Sequence, residues 1–283
     1  MKKKLSAREL EFQAARRAPV PTSLETASHG EAMAMLTRRG LRPEKSEGDF
    51  AFLHGMDDQA ADRFSEWLGH YAFRLFLRGA IQSADGFLPA AATRYLTRAQ
   101  SRNYAEALVA LGLGEKISRS RYRLKGTAWS FGETLEWYVG RELEKRFGFS
   151  VATGIELHIR GGGGDLDVVA AAEGKLIYME LKSSPPKNLA VNEFAAFCDR
   201  MNLLRPDISL FVVDTALRLS DKVLPMLVEE FRRHGYVISR PRQIGAQLWA
   251  MTPHVYVVSG RRDLMANISK AIAAGLLALS PPL

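Results

Sequence analysis

The sequence predicts an α/β (α+β) protein, in which a mixed central sheet lies between helices and follows a mainly helical unit. From about residue 128, helical and strand patterns alternate, which is typical of a sheet covered by helices. The segment Ile208–Asp214 is nearly all apolar, as expected of a strand that is buried on both faces. Before residue 128, apolar residues recur mainly at helical spacing.

Composition narrows the class of protein. The 283 residues can form one large domain or two ordinary ones, and 47% hydrophobic with 25% charged residues is typical of a globular protein. The longest apolar runs, such as Ala271–Leu279, are too short to span a bilayer. The single cysteine, Cys198, excludes an internal disulfide, and no apolar stretch follows the N-terminal lysines as in a secretory signal. We therefore expect a cytoplasmic protein without a membrane partner.

Residues 1–55 form an N-terminal, mainly helical region to which we assign no chemistry. Residues 8–17 and 26–39 have helical character, and residues 49–53 have strand character. A stronger helix follows, with Asp57 or Asp58 as its N-cap. Its predicted buried stripe consists of Phe64, Trp67, Leu68, Tyr71 and Leu75.

The segment 56–127 is predicted to be a winged-helix-like domain that binds nucleic acid. Two helices, Ala90–Leu96 and Arg98–Leu111, precede a basic segment, Lys116–Lys125, whose pattern predicts a strand. Residues 94–125 carry eight basic and two acidic residues, most of the net charge of +8. The order of helix, helix and basic strand is that of a winged helix on a phosphate backbone. The alternative is a solvated basic face without a ligand.

The candidate phosphate contacts lie in this domain. Side chains alternate between the two faces of a strand, so the basic residues of the predicted strand share one face. With two arginines of the preceding helix, the predicted set is Arg98, Arg102, Arg119, Arg121, Arg123 and Lys125.

The segment 128–283 is predicted to form the sheet domain. Its first elements follow the order α-β-β-β-α-β. The predicted elements are a helix Gly132–Phe147, strands Val151–Ile159, Asp165–Ala172 and Lys175–Lys182, a helix Asn188–Leu204, the strand Ile208–Asp214, a helix Lys222–His234, a strand His254–Val258 and a helix Arg262–Leu277.

Acidic residues mark the second and third of these strands. Asp165 and Asp167 share one face of the second strand, and Glu180 shares a face of the third strand with Lys182. A tight turn at residues 173–174 would bring Asp167 close to Glu180 across a hairpin. The flanking residues are apolar, and unpaired buried charge is costly. A bound divalent cation such as Mg²⁺ would balance the carboxylates.

At these residues the sequence resembles the PD-(D/E)XK phosphodiesterase superfamily, the restriction-endonuclease-like nucleases. Asp167 followed after thirteen positions by Glu180-Leu181-Lys182 is similar to its D…(D/E)-x-K signature. The helix starting at Gly132, with Glu136 one turn later, is similar to its first helix. The resemblance covers about residues 128–260. The sequence departs from the family pattern at Leu166, where a proline is common.

The resemblance implies a chemistry for these positions. Asp167, Glu180 and the Leu181 carbonyl would hold Mg²⁺ or Mn²⁺, and Glu136 would bind it through water or hold a second metal. Lys182 would orient the attacking water and stabilise the developing charge. Asp165 would be a further ligand or support a ligand. The roles of Asn188, Asn192 and Glu193 on the next helix are left open, and the glycines 161–164 either approach a phosphate or form a plain turn.

The leading hypothesis is therefore a metal-dependent endonuclease that acts in defence, restriction or repair, with DNA favoured over RNA as its substrate. The rivals are a non-catalytic nucleic-acid-binding regulator with a nuclease-like scaffold and a subunit of a larger complex. A homodimer or partner subunits are left open. A surface ion pair is the alternative for the acidic set. No zinc-type spacing of His and Cys and no Walker loop occurs in the sequence.

Overall fold

The structure is a computed structural model that describes residues 30–45, 56–83, 85–126, 130–157, 165–238 and 240–280. The strands are β1 Pro43–Lys45, β2 Gly114–Lys116, β3 Tyr122–Leu124, β4 Ser150–Leu157, β5 Leu166–Ala172, β6 Lys175–Lys182, β7 Ile208–Val213, β8 Arg242–Gly245, β9 Leu248–Thr252 and β10 Val255–Ser259. Strands β2 and β3 form a separate hairpin, and the others form one sheet in the order β1-β4-β5-β6-β7-β10-β9-β8.

Helices surround this sheet. They are α1 Glu31–Arg38, α2 Asp58–Gly69, α3 Tyr71–Ile81, α4 Pro89–Ala92, α5 Arg98–Ala110, α6 Phe131–Phe147, α7 Val191–Leu204, α8 Val223–Arg233 and α9 Leu264–Leu279. The predicted α-β-β-β-α-β order is confirmed by α6, β4, β5, β6, α7 and β7. Strands β8 and β9 were not predicted, because the exposed, polar start of β8 lacks the alternation of a half-buried strand.

The sheet is mixed, as predicted. Strands β4, β5 and β6 pair antiparallel, whereas β7 pairs parallel with both β6 and β10. Each parallel pair needs a crossover connection, which α7 supplies between β6 and β7. Every residue of β7 is buried, because β7 lies between two neighbouring strands and is covered on both faces.

Two apolar cores lie on the two faces of the sheet. Successive side chains of a strand point to opposite faces of the sheet. Val168 therefore packs with α2 to α6 and α9, whereas Val169 packs with α1, α7 and α8. The first core runs without interruption from α2 to the sheet, and Phe64 stacks on Trp137 at 5.6 Å between ring centroids. Residues 56–126 are therefore packed onto the sheet domain.

The helix predicted to start at Asp57 is two helices. Asp57 is its N-cap, since its side chain accepts from the Ala60 amide. The chain then becomes extended at His70, where α2 ends and α3 begins. The prediction of one helix with a single buried stripe reaching Leu75 is therefore wrong. The break leaves carbonyls at the end of α2 without helical partners, and the Arg74 guanidinium donates to two of them, those of Leu68 and Gly69.

The basic strand predicted over residues 116–125 is also wrong. Gly114–Lys116 pairs antiparallel with Tyr122–Leu124, so Arg119 lies in the connecting loop and does not share a strand face with Arg123. Glu115 lies opposite Arg123 and forms an ion pair with it at 2.6 Å. This cross-strand pair favours a hairpin over one continuous strand. The helix predicted over residues 90–96 is shortened to α4, because Thr93 is extended and Thr97 caps α5.

The described part of the N-terminal region belongs to the sheet domain. Helix α1 packs beside β4 and β5, and β1 pairs antiparallel with β4 at the edge of the sheet. The predicted helix over residues 8–17 and strand over residues 49–53 lie outside the described residues. Among the described residues, no helix is both long and apolar enough to cross a bilayer.

Candidate active site

The β5–β6 hairpin brings the predicted carboxylates together. Both residues of its two-residue turn, Glu173 and Gly174, have positive φ, as the tightest hairpin turns require. The ladder pairs Val168 with Met179, and the same register places Asp167 opposite Glu180. Lys182 lies two residues beyond Glu180 on the same face of β6. Asp167, Glu180 and Lys182 therefore share the sheet face that α7 covers.

Glu180 is fully buried and both of its carboxylate oxygens are engaged. The Lys182 ammonium lies 2.8 Å from Oε1, the Arg200 guanidinium lies 2.6 Å from Oε2, and the Tyr178 hydroxyl also donates to Oε2. Burial by itself raises the pKa of Glu180, but the charges of Lys182 and Arg200 outweigh burial, so the pKa lies below its usual value. Glu180 is therefore ionised at neutral pH.

The pKa of Asp167 is shifted in the opposite direction to that of Glu180. Its Oδ2 accepts a hydrogen bond from the Leu181 amide at 2.6 Å. Burial, followed by the charge of Glu180, raises the pKa of Asp167 to about 7. The two carboxylates thus repel each other despite the neighbouring cations. An additional positive charge at this position would stabilise the ionised pair.

Lys182 is held between two carboxylates. Its ammonium lies 2.8 Å from Oε1 of Glu180 and 3.3 Å from Oε1 of Glu193. Burial by itself lowers the pKa of Lys182, but Glu180 and the other neighbouring carboxylates raise it above its usual value. Lys182 is therefore protonated at neutral pH and can donate hydrogen bonds but cannot act as a base.

Helix α7 contributes two charged side chains to the site. Glu193 was left open by the sequence, and Arg200 was missed. Their separation of seven residues, two helical turns, puts both on the face of α7 that covers β6. The seven-residue spacing is visible in the sequence, but it does not indicate which strand the two side chains contact. Asn188 and Asn192 are exposed.

The other predicted residues lie outside the hairpin and α7. Asp165 is exposed and precedes β5, and residues 161–164 lie outside the described residues. Glu136 is half-buried on α6, whose buried Leu135 and Val139 pack on the sheet face opposite to that of Asp167. The roles of Asp165 and Glu136 remain predictions.

The oxygen atoms around Asp167 and Glu180 are the candidate ligands for a divalent cation. Among the described residues, no three His, Cys, Asp or Glu side chains converge as metal ligands do. Two opposed carboxylates and the Leu181 carbonyl remain, and Mg²⁺ is often bound by one or two carboxylates with several waters. Burial and the charge of Glu180 hold the pKa of Asp167 above its usual value, so an added positive charge would stabilise the ionised pair. The residues therefore fit a hydrated divalent cation.

The predicted phosphate contacts lie on the exposed surface of α5 and the β2–β3 hairpin. All six are exposed, namely Arg98, Arg102, Arg119, Arg121, Arg123 and Lys125. Arg121 donates to the Gly86 carbonyl, and Arg123 pairs with Glu115. These partners make Arg121 and Arg123 less available to phosphates.

Comparison with known proteins extends the description of the fold. No protein-family model matches the chain, and no curated protein matches it. Among solved structures, protein VC1899 from Vibrio cholerae superposes with a TM-score of 0.53 at 13% identity over 86% of this chain. The two chains share a fold. This chain spans 62% of the length of VC1899.

A second solved structure is similar over a comparable span. It is Can2 from Sulfobacillus thermosulfidooxidans in complex with cyclic tetra-adenylate, with a TM-score of 0.44 and 15% identity. The match covers 85% of this chain and 60% of Can2.

Proposed function

We propose that this protein is a Mg²⁺- or Mn²⁺-dependent endonuclease that hydrolyses phosphodiester bonds in nucleic acid, with DNA rather than RNA as the substrate. The observation that carries the proposal is the placement of Asp167 opposite Glu180 with Lys182 on the same face. Burying three ionisable groups together is costly for a plain sheet face. Such a cluster is typical of a catalytic site.

Asp167, Glu180 and the Leu181 carbonyl would hold the cation. When bound, it would polarise the scissile phosphate and lower the pKa of bound water. Lys182 is protonated and fixed by Glu180 and Glu193, so its ammonium can donate to the attacking water or to a phosphate oxygen. Such a fixed donor stabilises the charge that develops in the transition state. Glu136 and Asp165 are proposed as supporting carboxylates.

Residues 56–126 would hold the nucleic acid. Their order of α3, a Phe87–Tyr122 bridge, α4, α5 and the β2–β3 hairpin supports the proposal of a winged-helix-like unit. The exposed cations of α5 and the hairpin would contact backbone phosphates, which position a nucleic acid without reading its sequence. This unit packs on the sheet domain, so a bound backbone would be held in a fixed relation to the site.

A cleavage assay tests the proposal. Purified protein is incubated with plasmid, linear duplex DNA, single-stranded DNA and RNA, with Mg²⁺, Mn²⁺ or a chelator. We expect metal-dependent cleavage that Asp167→Ala abolishes, together with loss of calorimetric Mg²⁺ binding. Asp221→Ala removes an exposed carboxylate and serves as the matched control. Wild-type Mg²⁺ affinity in Asp167→Ala would refute the proposed site.

A second candidate function is a non-catalytic nucleic-acid-binding protein. It is favoured by the pairing of Glu180, whose oxygens already have Lys182, Arg200 and Tyr178 as partners. In that case the cluster is a buried ion-pair network of a nuclease-like scaffold. Salt-dependent binding of nucleic acid without cleavage of any of the four substrates would favour this candidate.

A further inference from the structure

Arg200 reaches the acidic pair from outside the hairpin. It belongs to α7, and its Nη1 lies 2.6 Å from Oε2 of Glu180. Its side chain is 19% exposed and that of Glu180 is 2% exposed. A guanidinium keeps its charge at any pH that the fold tolerates. The buried carboxylate therefore has a permanent positive partner in the absence of any metal.

The contact competes with metal binding on geometric grounds. A cation held by Glu180 must take a carboxylate oxygen that now faces Lys182 or Arg200. Lys182 lies on β6 itself and is also held by Glu193 at 3.3 Å. Arg200 extends from a separate helix through a long, flexible side chain. Lys182 pairs with two carboxylates, whereas Arg200 pairs with Glu180, so Arg200 is the cation that a bound metal displaces more easily.

We propose that Arg200 is a built-in counter-ion of the metal site, which neutralises Glu180 in the metal-free protein and must be displaced when a divalent cation binds. The inference rests on the proposed function, because it assumes that Asp167 and Glu180 bind a cation. Arg200 then acts through Glu180 and lowers the metal affinity of the site.

The charge balance gives the sign of the effect. The cluster contains the carboxylates of Asp167, Glu180 and Glu193 and the cations Lys182 and Arg200. Removing the guanidinium leaves the carboxylates less neutralised, so they attract a divalent cation more strongly. One unit charge a few ångströms away in a half-buried site changes such an affinity by about tenfold or more. If Arg200 only braces Glu180, its removal weakens binding instead, because a ligand becomes misplaced.

Calorimetry with Mn²⁺ and with Ca²⁺ on metal-stripped protein tests this sign. Two neutral variants are compared with wild type: Arg200→Met keeps the apolar part of the side chain, and Arg200→Gln also keeps a neutral donor. Arg200→Lys keeps the charge. Arg38→Met is the matched control, because it removes an arginine from a surface ion pair whose side chains are 58% and 52% exposed. Thermal unfolding of each variant in chelator and in metal provides a readout independent of cleavage.

We expect both neutral variants to bind Mn²⁺ about tenfold more tightly than wild type, and to be less stable than wild type in chelator. Arg200→Lys and Arg38→Met should keep wild-type affinity. Equal or weaker Mn²⁺ binding in a folded neutral variant overturns the role of Arg200 and leaves the proposed function standing. If wild type binds neither cation, both proposals fail.

Discussion

Replacing Asp214 should destabilise the protein strongly, because its carboxylate joins the helical unit to the sheet. Asp214 follows β7, and its side chain is 0% exposed. The Arg74 Nη2 lies 2.9 Å and its Nε 3.0 Å from Oδ1, while the Arg78 guanidinium lies 3.0 Å from Oδ2. Both arginines belong to α3. Asp214→Ala would leave Arg74, itself buried, without its charged partner.

The magnitude follows from this burial. Removing one partner of a buried ion pair typically costs about 3–5 kcal/mol. Arg78 is 20% exposed and can regain solvent, and Arg74 keeps the Leu68 and Gly69 carbonyls, so we expect about 4 kcal/mol. At roughly 2–4 °C per kcal/mol, the midpoint of thermal unfolding should fall by about 8–16 °C.

Urea and thermal unfolding measure this loss. Asp214→Asn keeps the shape of the side chain and should lose less than Asp214→Ala, since it retains an acceptor. Glu31→Ala breaks the exposed pair with Arg38 and should change stability by less than about 1 kcal/mol. A loss below about 1 kcal/mol in Asp214→Ala would show that the network contributes little and that the reasoning from burial is wrong.

Three further predictions address the site and the basic surface. Lys182→Ala should bind nucleic acid like wild type and cleave it at least about a hundredfold more slowly. Lys182→Met serves as the control for lost packing. Equal cleavage rates in Lys182→Ala and wild type would exclude a catalytic role of Lys182. In chelator, the pKa of Asp167 is about 7 in the folded protein and roughly 3.9 in an unfolded chain. The free energy of unfolding should therefore fall as pH rises between these two values. Asp167→Asn should therefore exceed wild type in stability at pH 8, by at most about 4 kcal/mol, and lose that advantage near pH 4; no difference at pH 8 would contradict the burial cost. Neutralising Arg98, Arg102 and Arg119 together should flatten the salt dependence of binding by up to about three units, and an unchanged slope would mean a merely solvated surface.

Local patterns were sufficient for the α-β-β-β-α-β core of the sheet domain and for its acidic pair. Strand alternation and a two-residue turn determine which residues face each other in a hairpin, so the position of Asp167 opposite Glu180 was predictable from their spacing. The bounds of β6 were predicted to the residue for the same reason. The β2–β3 hairpin shows the limit of this approach. Alternation predicted one strand there, whereas the Glu115–Arg123 pairing and the buried Tyr122 accompany a reversal of the chain.

Contacts between residues far apart in the chain could not be predicted from the sequence. Arg74 and Asp214 are 140 positions apart, and no periodicity relates a residue of α3 to the end of β7. Arg200 lies in a segment whose periodicity predicts its own helix, α7, and gives no information about a partner outside that helix. Its partner is determined by how α7 lies across β6.

The sequence by itself determined the α-β-β-β-α-β order, the register of the β5–β6 hairpin and the carboxylate–lysine set, because these depend on periodicity and turn chemistry within a few residues. Only the tertiary structure decided which charges meet: Arg200 with Glu180, Glu193 with Lys182, and Arg74 with Asp214. The physical reason is that the partner of a buried charge is selected by the packing of whole helices on the sheet. That packing is driven by apolar burial, which is non-directional, so the apolar pattern shows which face of a helix is buried but not which strand it covers.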